Sequence, residues 1–206
     1  DDAVLRGRHQ GGGAVQVAGT GREPRPDGGD MEGRIRVTAL VGSYRKGGVI
    51  DRAVDEILSA AEEAGAETTR IYLRDRHIEF CRNCRTCTQE EGARRGACPV
   101  GDDMTAILDR IERSHALVLA SPVNFGTVTA VMKRFIERLV CFVYWPWGTK
   151  IPKVRTRTLN RRAVLVVSSA APAVLVRLRT GITGLLKEAA AILGARTVGT
   201  LYMGMV

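Results

Sequence analysis

The chain has 206 residues, enough for one domain with a full core. Its 45% hydrophobic and 26% charged content excludes a disordered or fibrous chain as a whole. The formal net charge is +9, but the arginines are scattered through predicted helices and loops, which describes a solvated basic surface better than a nucleic-acid stripe.

Residues 1–30 read as a disordered segment. Glycine recurs there at 7, 11, 12, 13, 19, 21, 28 and 29, Pro24 and Pro26 fall between, and no apolar period appears. Met31 is a candidate start of translation, and 31–206 is the expected folded domain. Asp1–Gly21 lacks the apolar segment of a secretory signal, and no run of about 18 apolar residues occurs anywhere, so the expectation is a cytoplasmic protein without a membrane helix.

From Ile35 the pattern changes. Ile35–Val41 is a short apolar strand ending at Gly42. Val49–Ala64 carries apolar residues at 50, 54, 57, 58 and 61, one face of a helix that Gly65 stops. Thr68–Leu73 is a second strand, followed by a cysteine-rich loop. Asp102 or Asp103 can cap a helix with Met104, Ile107, Leu108 and Ile111 on one stripe. Ala116–Ala120 is continuously apolar and predicted to be buried on both faces. Thr127 can cap a helix bearing Val128, Val131, Met132, Phe135, Ile136, Leu139 and Val140. A connection over Phe142–Arg162 leads to a strand at Ala163–Val167. A helix over Leu175–Leu193 follows, ended by Gly194, and then a strand at Ala195–Met203.

This alternation predicts a parallel sheet with helices on both faces. Ligands of such sheets bind at the carboxyl ends of the strands, at the switch point of the strand order. The loops 42–50, 121–127 and 168–174 all fall at that edge.

Two loops carry chemistry. Cys81, Cys84, Cys87 and Cys98, with Pro99 after the last, place four of the five cysteines within one short stretch. Thiolates in this arrangement suit a [4Fe–4S] cluster or zinc, and a loop of free thiols is the third reading. Cys141 lies in an apolar helical stretch and reads as a small core residue. The loop Gly42-Ser43-Tyr44-Arg45-Lys46-Gly47-Gly48 is neither a P-loop nor a G-x-G-x-x-G turn. It still offers a phosphate glycine flexibility, a hydroxyl, two cations and a helix N-terminus. A polar turn with incidental basic residues is the alternative.

This loop resembles the phosphate loop of the flavodoxin-like NAD(P)H-dependent FMN reductases. Ser121-Pro122-Val123-Asn124-Phe125-Gly126-Thr127-Val128-Thr129-Ala130-Val131-Met132-Lys133-Arg134-Phe135-Ile136-Glu137-Arg138 is similar to that family's second motif. The cysteine run resembles its iron–sulfur flavoprotein branch. The resemblance covers roughly residues 35–203. It implies a flavodoxin-like five-stranded parallel sheet in a three-layer sandwich, with FMN at the sheet edge and chemistry carried by the flavin rather than by a catalytic side chain. By position, Ser43, Arg45, Lys46 and Gly48 would hold the phosphate. Pro122, Val123, Asn124, Phe125 and Gly126 would line the ring, and Ser168 and Ser169 would close the other side. Cys81, Cys84, Cys87 and Cys98 would be the metal ligands.

The chain departs from the family pattern at Val49 and Ile50, where relatives carry Asn and Thr. It departs again at Asn124, where they carry Tyr, and in the long Thr88–Ala97 spacer before the fourth cysteine. Trp145-Pro146-Trp147 reads as flavin cover, a subunit contact or plain loop packing. Lys150, Lys153, Arg155, Arg157, Arg161 and Arg162 read as a solvated run or an attraction for a dinucleotide or RNA. His77 and His115 are isolated. The expected function is electron transfer from NAD(P)H through FMN to a small-molecule or redox-protein acceptor, by a homodimer or homotetramer. The alternatives are an electron carrier using a [4Fe–4S] cluster and, remotely, a zinc-stabilised basic module for nucleic acid.

Overall fold

Five parallel strands form the central sheet of the computed structural model, which describes residues 33–92, 94–155 and 158–206. The glycine-rich segment 1–30 and the candidate start Met31 lie outside the described residues. In chain order the elements are β1 (Arg36–Val41), α1 (Val49–Glu63), β2 (Glu67–Tyr72), α2 (Met104–Glu112), β3 (Ala116–Pro122) and α3 (Ala130–Glu137). A small hairpin of β4 (Val143–Tyr144) and β5 (Lys153–Val154) follows. The chain then forms β6 (Arg161–Ser169), α4 (Ala173–Arg179), α5 (Ile182–Ile192) and β7 (Ala195–Gly204).

The sheet order is β2-β1-β3-β6-β7, with every neighbouring pair parallel. Successive strand residues face opposite sides, and the two cores follow that alternation. Ala39, Val41, Val118 and Ala120 meet Ile50, Val54 and Leu58 of α1 on one side. Leu40, Leu117, Leu119 and Leu165 meet α2, α3 and α5 on the other. The flavodoxin-like sandwich is therefore as expected, and Leu117–Ser121 of β3 is buried throughout. No helix among the described residues is long and apolar enough to cross a membrane.

Several boundaries differ from the sequence reading: β6 extends two residues beyond the expected strand at each end, α3 gives way to a 3-10 turn at Arg138, and two further differences bear on the site. The cap of α3 is Thr129, not Thr127: Thr129 Oγ1 accepts from the Met132 N–H, whereas Thr127 closes a tight turn with Asn124 through two backbone hydrogen bonds. The predicted helix 175–193 is two helices. Thr180 is extended, and the Gly181 N–H leaves the helix to donate to the Gly126 carbonyl. Val176 and Ile182 are both buried, so the apolar period runs across a break that it cannot reveal.

Candidate functional site

β1 and β3 are neighbours, yet α1 leaves β1 on one face and α3 follows β3 on the other. In open parallel sheets such a divergence leaves a crevice at the carboxyl ends of the two strands. The two loops there are bound to each other. Gly42 at the end of β1 donates to the Ala120 carbonyl and accepts from Thr129 Oγ1. Tyr44 Oη accepts from the Ala130 N–H at 3.1 Å, so the first loop reaches across to the start of α3. A β-carbon on Gly42 would stand 2.8 Å from Met132 Cβ, which is why the approach needs glycine.

The phosphate-loop candidates divide by what they already contact. Ser43 is buried, and its hydroxyl donates to the Arg45 carbonyl and accepts from the Arg45 N–H, so it shapes the turn. Lys46 turns away to an ion pair with Asp75 and lies 4.9 Å from the Tyr72 ring centre. Arg45 is exposed. Gly48 is the N-cap of α1 and offers no side-chain cap, so the first N–H groups of the helix keep their donor capacity. Asp51, which sequence reasoning missed, is 2% exposed and accepts from the Gly47 N–H. The available signal was its place on the inward stripe with Val54 and Leu58.

Pro122 and Val123 join the site to β6: the Val123 N–H donates to the Ser168 carbonyl at 2.8 Å. That N–H is therefore committed within the protein. Asn124 and Thr127 exchange backbone hydrogen bonds around Phe125 and Gly126, both with left-handed φ (50° and 76°). The turn projects the Phe125 ring fully into solvent, and among the described residues the N–H groups of Phe125 and Gly126 meet no acceptor. Ser168 is buried, and Ser169 Oγ accepts from the Ala171 N–H. The structure thus brings Ser43, Arg45, Gly48, Pro122–Gly126 and Ser168–Ser169 to the carboxyl edge of the sheet. It turns Lys46 aside. Free backbone donors at α1 and at the Phe125 turn, with a neighbouring cation, are the donor set that a phosphate and a polar ring edge require.

The four loop cysteines line one small cavity, together with Val100, Arg138 and Val140. Cys87 is buried, Cys84 exposed, and Cys81 and Cys98 half-buried. Burial and the neighbouring thiols Cys98, Cys81 and Cys84 push Cys87 up from its ordinary value. The Thr86 hydroxyl, 3.4 Å from Cys84 Sγ, pulls Cys84 down. Among the described residues, no three His, Cys, Asp or Glu side chains converge as ligands of a single ion. What the four thiols share is the cavity wall, and thiolates so grouped are the ligand type of iron–sulfur clusters and zinc alike.

Arg138 fastens both ends of this loop. It is 3% exposed, and its guanidinium donates to the Glu79 carbonyl before Cys81, to Cys98 Sγ at 3.4 Å, and to Asp102. A buried cation against the thiols offsets the negative charge that four thiolates would gather.

Among characterised proteins, an iron–sulfur flavoprotein of Archaeoglobus fulgidus is 33% identical over 112 residues, 54% of this chain and 49% of that protein. An iron–sulfur flavoprotein of Methanocaldococcus jannaschii is 36% identical over 104 residues, 50% of this chain and 51% of that protein. The chain spans about half the length of the curated relatives it matches. In fold it is similar to an NAD(P)H:quinone oxidoreductase from Methanothermobacter marburgensis. The TM-score is 0.60 at 17% identity, over 84% of this chain and 85% of the other. The family described as NADPH-dependent FMN reductase matches residues 35–204, from the start of β1 to the end of β7, and the chain belongs to that family.

Proposed function

We propose that the protein is an FMN-dependent oxidoreductase that draws electrons from NAD(P)H and passes them to a small-molecule or redox-protein acceptor. The observation that carries this reading is the joining of the 42–50 loop to the start of α3, directly after the 121–127 loop, at the β1/β3 crevice, through Gly42–Thr129 and Tyr44–Ala130. Arg45 and the first N–H groups of α1 attract and orient the phosphate. The N–H groups of Phe125 and Gly126 meet the polar edge of the ring, and Pro122, Val123 and Asn124 line it. Ser168 and Ser169 close the opposite side. Bound in this crevice, FMN supplies the hydride and electron chemistry. Exposed Phe125, Val174 and Leu178 accord with work as a homodimer or homotetramer.

The test is a titration of flavin-free protein with FMN, read by flavin fluorescence, followed by NADPH and NADH oxidation with and without an added quinone. Saturable binding and acceptor-dependent oxidation support the reading. Absence of FMN binding contradicts it.

A second reading has its own observation. Four cysteines line one cavity beside a buried guanidinium, which supports a [4Fe–4S] cluster held by Cys81, Cys84, Cys87 and Cys98. Such a centre would deliver electrons to the flavin singly.

A further inference from the structure

We propose that the Trp145-Pro146-Trp147 turn is a strap that holds the thiol loop in its folded turn before any metal arrives, with Arg85 as the latch. The metal-binding part of this rests on the cluster reading above.

Arg85 lies between Cys84 and Cys87. Asn83 and Arg85 both have left-handed backbone, at φ 49° and 56°, which side chains other than glycine rarely adopt. Two such residues within three turn the chain sharply, so that the C-x2-C-x2-C thiols face one cavity instead of spreading along an extended loop. A turn of this kind persists only where the surroundings enforce it.

The strap supplies the enforcement. The Arg85 guanidinium carbon lies 3.7 Å from the centre of the Trp145 ring and 4.3 Å from that of Trp147, a cation held against two aromatic faces. Arg85 Nη2 also donates to the Trp145 carbonyl at 2.6 Å. The same carbonyl accepts from Thr88 Oγ1 at 3.1 Å and Gln89 Nε2 at 3.3 Å. In return the Trp145 N–H donates to the Thr88 carbonyl at 2.9 Å, and the Trp147 N–H to Gln89 Oε1 at 3.0 Å. The strap is itself fixed by the β4–β5 pairing and by Trp145 Nε1 donating to the Thr149 carbonyl. Arg155, one residue past β5, donates to the Cys87 carbonyl at 3.1 Å.

The long spacer before Cys98 is folded from the same side of the sequence. The Gly96 N–H donates to the Cys141 carbonyl at 2.7 Å, and a β-carbon on Gly96 would overlap the Cys87 carbonyl. None of these contacts uses a thiol. In small metal loops the ion is usually the cross-link that folds the chain. Here the cross-link is protein, so the loop is ordered in advance and the metal does not have to fold it.

The experiment compares wild type, Trp145→Ala/Trp147→Ala and Arg85→Gly, the last keeping the left-handed turn while removing the latch. Amide hydrogen exchange over 84–89 is measured on metal-free, reduced protein, with the strands β1, β3 and β6 as the control for folding. Iron and sulfide are then reconstituted anaerobically, and iron release to a chelator is followed. The expected result is exchange at least roughly tenfold faster in 84–89 of both variants with unchanged strand protection, and iron release about fivefold faster. Loop amides that exchange as fast in metal-free wild type as in the variants would overturn the strap, whatever the iron content. A protected loop in a wild type that takes up no iron would overturn the cluster reading and leave the strap standing.

Discussion

Asp102 and Arg138 form an ion pair whose two side chains are almost wholly out of solvent, at 0% and 2% exposure. It closes the thiol loop, because Arg138 also holds the Glu79 carbonyl and Cys98, while Asp102 accepts from the Glu79 and Met104 N–H groups. Replacing one partner leaves the other charge buried alone. Asp102→Asn is therefore expected to lower stability by about 3–5 kcal/mol, measured by urea unfolding at pH 7. Burial alone would raise the Asp102 carboxyl, but the hydrogen bonds from Arg138, Glu79 and Met104 outweigh it and hold it below the usual carboxylate range. The unfolded chain then binds more protons than the folded one. This contribution is complete above the unfolded carboxylate value, about 3.9, and is lost as pH falls through the lower folded value. The variant's deficit must shrink as the pH is lowered from 5 towards 2.

The close approach of β1 to α3 makes a second prediction. Gly42→Ala places a methyl group against Met132 and is expected to cost about 1–3 kcal/mol. Met132→Ala alone opens a cavity and costs about 2–5 kcal/mol. Because the two residues touch, the double variant is expected to cost clearly less than the sum, with a coupling of at least about 0.5 kcal/mol in a double-mutant cycle. Additive losses would mean that the helix moves aside.

The thiols are predicted to differ in reactivity. In metal-free, reduced protein, Cys84 is exposed and its thiolate is favoured by Thr86, so it is alkylated first, with a midpoint below that of an ordinary thiol near about 8.5. Burial pushes Cys141 up to about 12 and removes it from solvent, so it reacts only on unfolding. Mass spectrometry of iodoacetamide-treated protein across pH 6 to 9 reads both. Thr86→Val moves the Cys84 midpoint upward.

Phosphate recognition is predicted to be unequal between the two loop cations. Lys46 is engaged by Asp75, whereas Arg45 is exposed beside the N-terminus of α1. Arg45→Ala is expected to weaken FMN binding about tenfold or more, in line with loss of a charged hydrogen bond, and Lys46→Ala by less. Fluorescence titration checks the order, and the difference should narrow as salt is raised.

Regular structure was legible where one local period governed it. The predicted strand 35–41 and helix 49–64 match β1 and α1 to within a residue, because the core alternation and the Gly65 stop are written locally. Thr127 and Thr129 were not distinguishable by pattern, since they flank Val128, the first residue of the apolar stripe, which is buried whichever of them caps the helix. The Asn124–Thr127 turn that decides between them depends on backbone pairing. The site was legible as loops and not as contacts. That Lys46 would find Asp75, that the Val123 N–H would belong to Ser168, and that Arg85 would lie between two indoles all depend on partners far along the chain.

Flavin binding at the β1/β3 crevice should be independent of the thiols. The direct measurement is the flavin, iron, sulfide and zinc content of anaerobically purified wild type and of a variant with Cys81, Cys84, Cys87 and Cys98 all changed to Ser. The account predicts FMN in both proteins, with iron and sulfide in the wild type alone. Zinc without flavin in the wild type would contradict it.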